Sequence, residues 1–414
     1  MYATSPLNTA AESKLELRLH SSIDEIPQQS WNALIRGSNP FIQHQFLAAL
    51  EHNHCVGEHF GWLPCHLALY RDRQLVAALP LYEKHNSYGE LVFDHAWANA
   101  FGQRGLSYYP KLVSAIPYTP VTGPRVISSL PLAEVQPLFE QLLHQLLQQG
   151  DYSSAHLLFQ QDEEHELWQR QHFFARSDIQ FHWENANYTH FEHFLGELTH
   201  KKRKNIHQER KKVANSDISF RIVHGHESCE ADWHHFSRFY QQTFEEKWSL
   251  ATLNFGFFTE IAATLGSQVV LIFAERNHTP IAGALLFRDN ERLYGRHWGA
   301  IEHHSALHFE TCYYRGIEYA IEQQLQFFEP GAQGEHKLAR GFMPVLTRSS
   351  HYINNEQFLY PIERWANHER TAVASYCAEL MERSPFALHG QPSGSLHGDG
   401  MIAALDPITV TDID

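Results

Sequence analysis

QVVLIFAERNHTPIAGALLFRDNERLYGRHW (268–298) reads as three strands in succession: VVLIFAERN, a polar turn at Asn277-His278-Thr279-Pro280, then IAGALLFRDN, then RLYGRHWGA. Short apolar runs rich in β-branched and aromatic residues, separated by turn formers, are the pattern of neighbouring strands. HLALYRDRQLVAALPLYEKHNSYGELVFDHAW (66–97) passes through the same features: two runs about the polar tip Arg71-Asp72-Arg73-Gln74, a turn at Asn86-Ser87-Tyr88-Gly89, and GELVFDHAW (89–97) as a third strand. Both third strands start near Tyr-Gly and reach a Trp, so the two segments are expected to be equivalent three-strand meanders of an internal duplication.

Helical spacing flanks each meander. LAEVQPLFEQLLHQLLQQG (132–150) leads into the strand-like AHLLF; in the second pass ISFRIV (218–223) precedes helices at 232–248 and 254–266, and HFETCYYRGIEYAIEQQL (308–325) precedes FFEPGA (327–332). The order β, α, α, β, β, β, α, β in each half is that of the GCN5-related acetyltransferase (GNAT) fold, a mixed sheet whose central strands splay to admit an acyl donor. The expected fold class is therefore α/β, an α+β mixed sheet in two tandem GNAT-like domains. Their expected limits are 1–185 and 186–383, the second opening with a basic helix, followed by a flexible Gly-, Ser- and Pro-rich tail at 384–414.

Composition agrees with two folded units. The chain has 414 residues, 43% hydrophobic and 19% charged, more than one core accommodates and unlike a disordered chain. A net charge of −15 argues against a surface coated for DNA or an anionic membrane. The 31 histidines nearly match the 32 lysines and arginines, so the charge swings steeply below neutrality. Five scattered cysteines without a C-x-x-C indicate neither a disulfide framework nor a zinc ribbon. The N-terminus lacks a signal-peptide pattern and no apolar run reaches bilayer length, so a cytoplasmic location is expected.

Chemistry-bearing residues concentrate in four places. HKKRKNIHQERKK (200–212) carries seven Lys/Arg in an acidic protein, with Lys202, Arg203, Lys204 and Asn205 at its centre; its readings are a solvated helix or a binding face for a phosphate-bearing ligand. FEPGAQGEHKLARGF (328–342) sets Gln333, Glu335, His336, Lys337 and Arg340 among glycines after a strand, offering a base, a proton shuttle and a cation together. The meander strands bring Asp94, and Tyr294, Arg296 and Trp298, into apolar contexts, where a buried ion pair is the competing explanation. The proline-stiffened YYPKLVSAIPYTPVTGPRV (108–126) carries Lys111, Thr122 and Arg125 as ligand contacts or as a structural crossover. His308 and Glu310 lie two apart on a helix and point to different sides, so a metal triad with His336 or His351 is not expected, and no P-loop, G-x-G-x-x-G or G-x-S-x-G occurs.

The stretches NPFIQHQFLAALE (39–51), YGELVFDHAWANAFGQRGLSYYPKLVSAIPYTPVTGPR (88–125), QFHW (180–183), LTHKKRKNIHQERKKV (198–213), LYGRHWG (293–299), LHFETCYYRGIEYAI (307–321) and FEPGAQGEHKLARGF (328–342) together resemble the FemAB-like family of N-acyltransferases, of peptidoglycan biosynthesis or recognition type, within the GNAT superfamily. The resemblance implies two GNAT-like domains. It also implies transfer of an acyl or aminoacyl group to an amine, with a small-molecule or lipid-linked acceptor such as a cell-wall precursor. Fem transferases use aminoacyl-tRNA and carry a K-x-R-x-N-I-type segment that Lys202, Lys204, Asn205 and Ile206 resemble. The Q/R-x-x-G-x-G/A loop that ordinary GNATs use for acetyl-CoA is absent between Trp298 and the helix at 308, so aminoacyl-tRNA and acyl-CoA both stay open as donors. The competing class is a non-catalytic module that binds a cell-wall precursor or another acidic ligand. Within the enzyme reading, Glu335 and His336 are expected to take the acceptor's proton, Lys337 or Arg340 to counter negative charge, and Asp94 or His308 to be the next candidate bases.

Overall fold

The computed structural model describes residues 15–387 apart from Gln171 and Gln333. The first half supplies β1 (Leu15–His20), β2 (Trp62–Pro64), β3 (His66–Arg71), β4 (Gln74–Leu79), β5 (Tyr82–Lys84), β6 (Lys111–Ser114), β7 (Ile127–Ser128), β8 (Ser154–Leu157) and β9 (Phe174–Glu184). The second supplies β10 (Ile218–His224), β11 (Val269–Arg276), β12 (Thr279–Arg288), β13 (Arg292–Ala300), β14 (Phe327–Glu329) and β15 (Met343–Ile353). Among the described residues they form a four-stranded sheet, β1-β3-β4-β7, and an eleven-stranded sheet, β10-β11-β12-β13-β14-β9-β15-β8-β6-β5-β2.

The meander at 268–298 forms as expected, β11, β12 and β13 pairing antiparallel in turn. The meander at 66–97 does not. Its first two strands pair, but Pro80, which has no N–H to give to a ladder, divides the returning arm, and β5 passes to the large sheet while β4 stays in the small one. GELVFDHAW is not a strand: Gly89 and Leu91 both have positive φ, which breaks the extended run, and a helix starts at His95. The third strand is instead β6, in the YYPKLVS string. It pairs antiparallel with β5 and parallel with β8, just as β13 pairs with β12 and β14. Residues 85–110 are an excursion between equivalent strands.

At the centre each half gives its last strand to the other. β9 lies beside β14, β15 lies beside β8, and the two pair antiparallel from Met343↔His182 to His351↔Phe174. The cores are shared as well. Phe46 and Leu50 of the first half pack in one cluster with Phe257, Phe258, Ile261 and Leu265 of the second. The helix Leu132–Gln149 buries Val135, Phe139, Leu143 and Leu147, one stripe at four-residue spacing, each contributing about 1.5–3 kcal/mol on burial.

The helix Glu356–Glu382 crosses β9 and β15; it is anchored by Phe358, Ile362 and Ala366 at one end and Leu380 at the other. Residues 384–387, expected in the tail, are held instead: Thr199 N–H bonds to the Pro385 carbonyl, Ala387 N–H to that of Glu197, and Phe386 is buried. The rest of the expected tail, 388–414, lies outside the described residues. Among the described residues no helix is long and apolar enough to cross a membrane.

Candidate active site

β13 and β14 are paired only over Arg292–Tyr294 and Phe327–Glu329. Beyond them β13 continues to Ala300, while the other chain turns at Pro330, whose backbone would lie 3.2 Å from a Cβ on Gly295. Gly331 and Gly334 then take φ of 104° and 119°, a region closed to other residues without strain, and a 3₁₀ turn, Glu335–Arg340, follows. A notch opens where the strands part. Trp298 of β13 packs against His308 of the segment Leu307–Tyr314, and Tyr313 of that segment meets His336 of the turn. Glu310–Tyr314 is a π-helical insertion, a feature that re-aims side chains within a helix and recurs at functional sites.

The side chains of the notch form one cluster. His336 Nε2 and the Tyr313 hydroxyl are 3.0 Å apart, and the His308 ring packs against Trp298 and Tyr313 at 5.4 and 5.3 Å. Burial pushes His308 down to about 4, and burial with Arg340 lowers His336, so both rings are neutral at neutral pH. Lys337 is 1% exposed and donates to the Gly331 carbonyl at 2.6 Å; burial brings its ammonium down to about 8. Burial raises the nearby Cys312 thiol, which leaves it protonated. The cluster thus holds two neutral imidazoles and an ammonium able to lose its proton near physiological pH, the groups from which general base and oxyanion partner are made.

Glu335 stands apart from this cluster. It is exposed, bonded to Tyr376 and Arg383 of the Glu356–Glu382 helix, and the Tyr376 hydroxyl holds its carboxyl below the usual range. Arg340 is buried with every guanidinium nitrogen engaged: Nε with Tyr314, Nη1 with the His336 carbonyl at 2.7 Å, and Nη2 with Glu209 at 2.8 Å. Gln333 lies outside the described residues.

The Arg340–Glu209 pair ties the notch to the basic helix His200–Ala214. Ile206 and Val213 bury that helix on the body, and Arg210 pairs with Glu310 and Glu318. Lys202 and Arg203 are partly exposed and Lys204 and Asn205 exposed, free of ion pairs among the described residues.

Other expected site residues lie elsewhere. Lys111 is fully buried, between Glu90 at 2.8 Å and Asp94, which also accepts from Ser87 and, at 2.7 Å, from Tyr108. Asp94 is therefore ionised and occupied, its carboxyl held far below the usual range chiefly by Lys111 against the cost of burial. Arg125 is buried among the Gly123 and Val121 carbonyls, and Thr122 is partly exposed beside it. Tyr294 is a core residue bonded to Asp289, and Arg296 reaches across to the Tyr118 carbonyl of the first half. Burial lowers Arg296 to about 10. The structure thus gathers Trp298, His308, His336, Lys337 and Arg340 with the basic helix, and leaves Lys111, Asp94, Thr122 and Arg125 away from them. Tyr313, Cys312 and Glu209 were not foreseen, although ETCYYRG and HQER sit inside strings already singled out.

A family model described as peptidoglycan biosynthesis/recognition, FemAB-like, matches residues 22–388. The chain belongs to the FemAB-like family. Among solved structures, that of FemX is 10% identical with a TM-score of 0.51, covering 82% of this chain and 98% of that one. A tandem GNAT protein from the clavulanic acid biosynthesis pathway is 8% identical with a TM-score of 0.44, over 83% and 99%. The C-terminal domain of a lysylphosphatidylglycerol synthetase from Agrobacterium fabrum is 8% identical with a TM-score of 0.49, over 82% and 96%. No curated protein matches the chain. The FemAB-like chain has a mixed α/β fold, shared with the FemX structure.

Proposed function

We propose that the protein is an N-acyltransferase that moves an acyl or aminoacyl group onto an amine in the notch between β13 and β14. The observation that carries this reading is the convergence of neutral His336 and His308, Tyr313 and Lys337 at the point where those strands part. An ammonium acceptor has no lone pair, so it must lose a proton before attack. His336, exposed at the mouth and backed by Tyr313, takes that proton directly or through one water. Lys337, aimed by the Gly331 carbonyl, stabilises the oxyanion of the tetrahedral intermediate. Glu335 plays no part in proton transfer.

The donor is an acyl-CoA or an aminoacyl-tRNA, whose phosphates lie along Lys202, Arg203, Lys204 and Asn205. The acceptor is a small-molecule or lipid-linked amine, in keeping with a cell-wall precursor. We also place the division between the two units near residue 185, after β9. To test the reading, the protein is incubated with acyl-CoAs or charged tRNA and a mixture of amines, and amide products are sought by mass spectrometry. New amide formed by the parent and reduced at least about 10²-fold by His336→Ala supports transfer. Donor bound without amide under every pairing would overturn it and leave a recognition module.

A further inference from the structure

A second cavity, of about 190 Å³, lies on the central strand pair β9–β15 beneath the Glu356–Glu382 helix. Between its anchors at Ala366 and Leu380 that helix buries no side chain; Glu369 and Val373 form the roof of the cavity. Phe93, Phe159 and Val92 give one wall an apolar surface, and none of the lining residues belongs to the notch.

The polar lining offers acceptors and few free donors. Arg176 is committed, with Nε and Nη2 on Glu369 at 2.5 and 2.8 Å, Nη1 on the Phe93 carbonyl, and its plane between Trp97 and Trp365. Arg348 pairs with Asp162 through Nε, its side chain one third exposed. Asp178 is the carboxylate left over: exposed at the edge of the cavity and within reach of the Arg176 charge, it accepts the Ile179 N–H and forms no ion pair among the described residues. The Thr347 hydroxyl gives its proton to the Asp178 carbonyl at 3.3 Å and keeps its lone pairs.

Ser349 stands at the end of a buried run of hydrogen bonds. Tyr108 gives its proton to ionised Asp94, and His156 Nε2 lies 3.2 Å from the Tyr108 hydroxyl and 2.8 Å from that of Ser154. His156 and His351 are each 2% exposed, and burial with the neighbouring cations keeps both neutral. His156 Nδ1 and His351 Nδ1 are 2.8 Å apart, so one of them carries the hydrogen, and His351 Nε2 lies 2.8 Å from the Ser349 hydroxyl. The 3.4 Å approach of that hydroxyl to the Arg176 carbonyl is the weaker alternative. A run of hydrogen bonds thus joins Asp94, Tyr108, His156 and His351 to Ser349 on the cavity wall.

Hydroxyl and carboxylate acceptors, a carboxylate without an ion-pair partner among the described residues and aromatic faces together suit a ligand with several N–H donors, a positive charge and an apolar body. We propose that the cavity binds an amine in its ammonium form, with Asp178 as counter-ion, Ser349 and Thr347 as further acceptors, and the carbon chain against Phe93 and Phe159. This site is independent of the transfer site proposed above.

Calorimetric titration with 2-phenylethylamine, n-octylamine and cadaverine, each against its matched alcohol, tests it. At least one amine should bind, and its alcohol at least about tenfold more weakly, because charge-assisted hydrogen bonds are the stronger ones. Asp178→Asn should weaken the amine by a similar factor, Val373→Trp should fill the space and abolish binding, and His336→Ala should leave binding as in the parent. Absence of amine binding up to about 10 mM, equal binding of amine and alcohol, or amine binding unchanged by Asp178→Asn overturns the proposal. If Val373→Trp does not fold, Asp178→Asn decides alone.

Discussion

Glu335 and His336 adjoin in sequence, yet one is tied to the outer helix through Tyr376 and Arg383 while the other touches Tyr313. A 3₁₀ turn throws successive side chains to different sides, and the string GEHK does not say which faces the notch. The expected outcomes divide accordingly. Once an amide-forming donor and acceptor are found, Glu335→Gln should keep turnover within about threefold of the parent, and His336→Ala should lose about 10²–10⁴ in rate. Lys111 was legible as unusual but not as buried, because the sequence does not reveal that Glu90 and Asp94 wrap around it. Lys111→Met leaves those two carboxylates inside the protein without their cation, and should cost about 3–5 kcal/mol in chemical denaturation. Adding Asp94→Asn should recover part of that loss.

Elements were read well where periodicity alone decides them, as for β11–β13 and the helix at 132–149. The segment 89–97 misled because it alternates like a strand, while Gly89 and Leu91 bend it and Glu90 and Asp94 are drawn inward to Lys111, a tertiary effect. The Glu356–Glu382 helix went unread although Phe358, Ile362 and Ala366 recur every four residues. For the basic helix the seven charges were plain, but the split of labour was not: Glu209 and Arg210 bind it to the body, and Lys202, Arg203 and Lys204 face outward. Reversing those three to Glu should weaken binding of labelled tRNA or acyl-CoA and flatten its salt dependence. The melting temperature should barely move, since exposed charges contribute little to stability. Donor affinity unchanged at low salt would make the helix a solvated face.

At the scale of the whole molecule, the strand order of the second half was legible, but the exchange of β9 and β15 between halves was not, because pairing partners more than 140 residues apart leave no local mark. That exchange buries polar side chains along the seam, including His156 and His351, and gives the protein a pH dependence that composition alone would not locate. Burial brings His156, His182 and His297 down to about 3 and His308 and His165 to about 4. In the unfolded chain a histidine titrates at about 6.5. Between those limits the unfolded state binds protons that the native state refuses, so falling pH favours unfolding, and the loss stops only below the folded values. The histidine contribution to the melting temperature should therefore be level above about pH 7 and fall from about pH 6.5 to about pH 4. His156→Gln removes one such group, and should lower stability at pH 7 while reducing the proton uptake on unfolding near pH 5 by about one. The check is proton uptake from calorimetry in buffers of different ionisation enthalpy. An uptake at pH 5 no larger than the carboxylates supply, or one unaltered in His156→Gln, would mean that the seam histidines are charged in the folded protein.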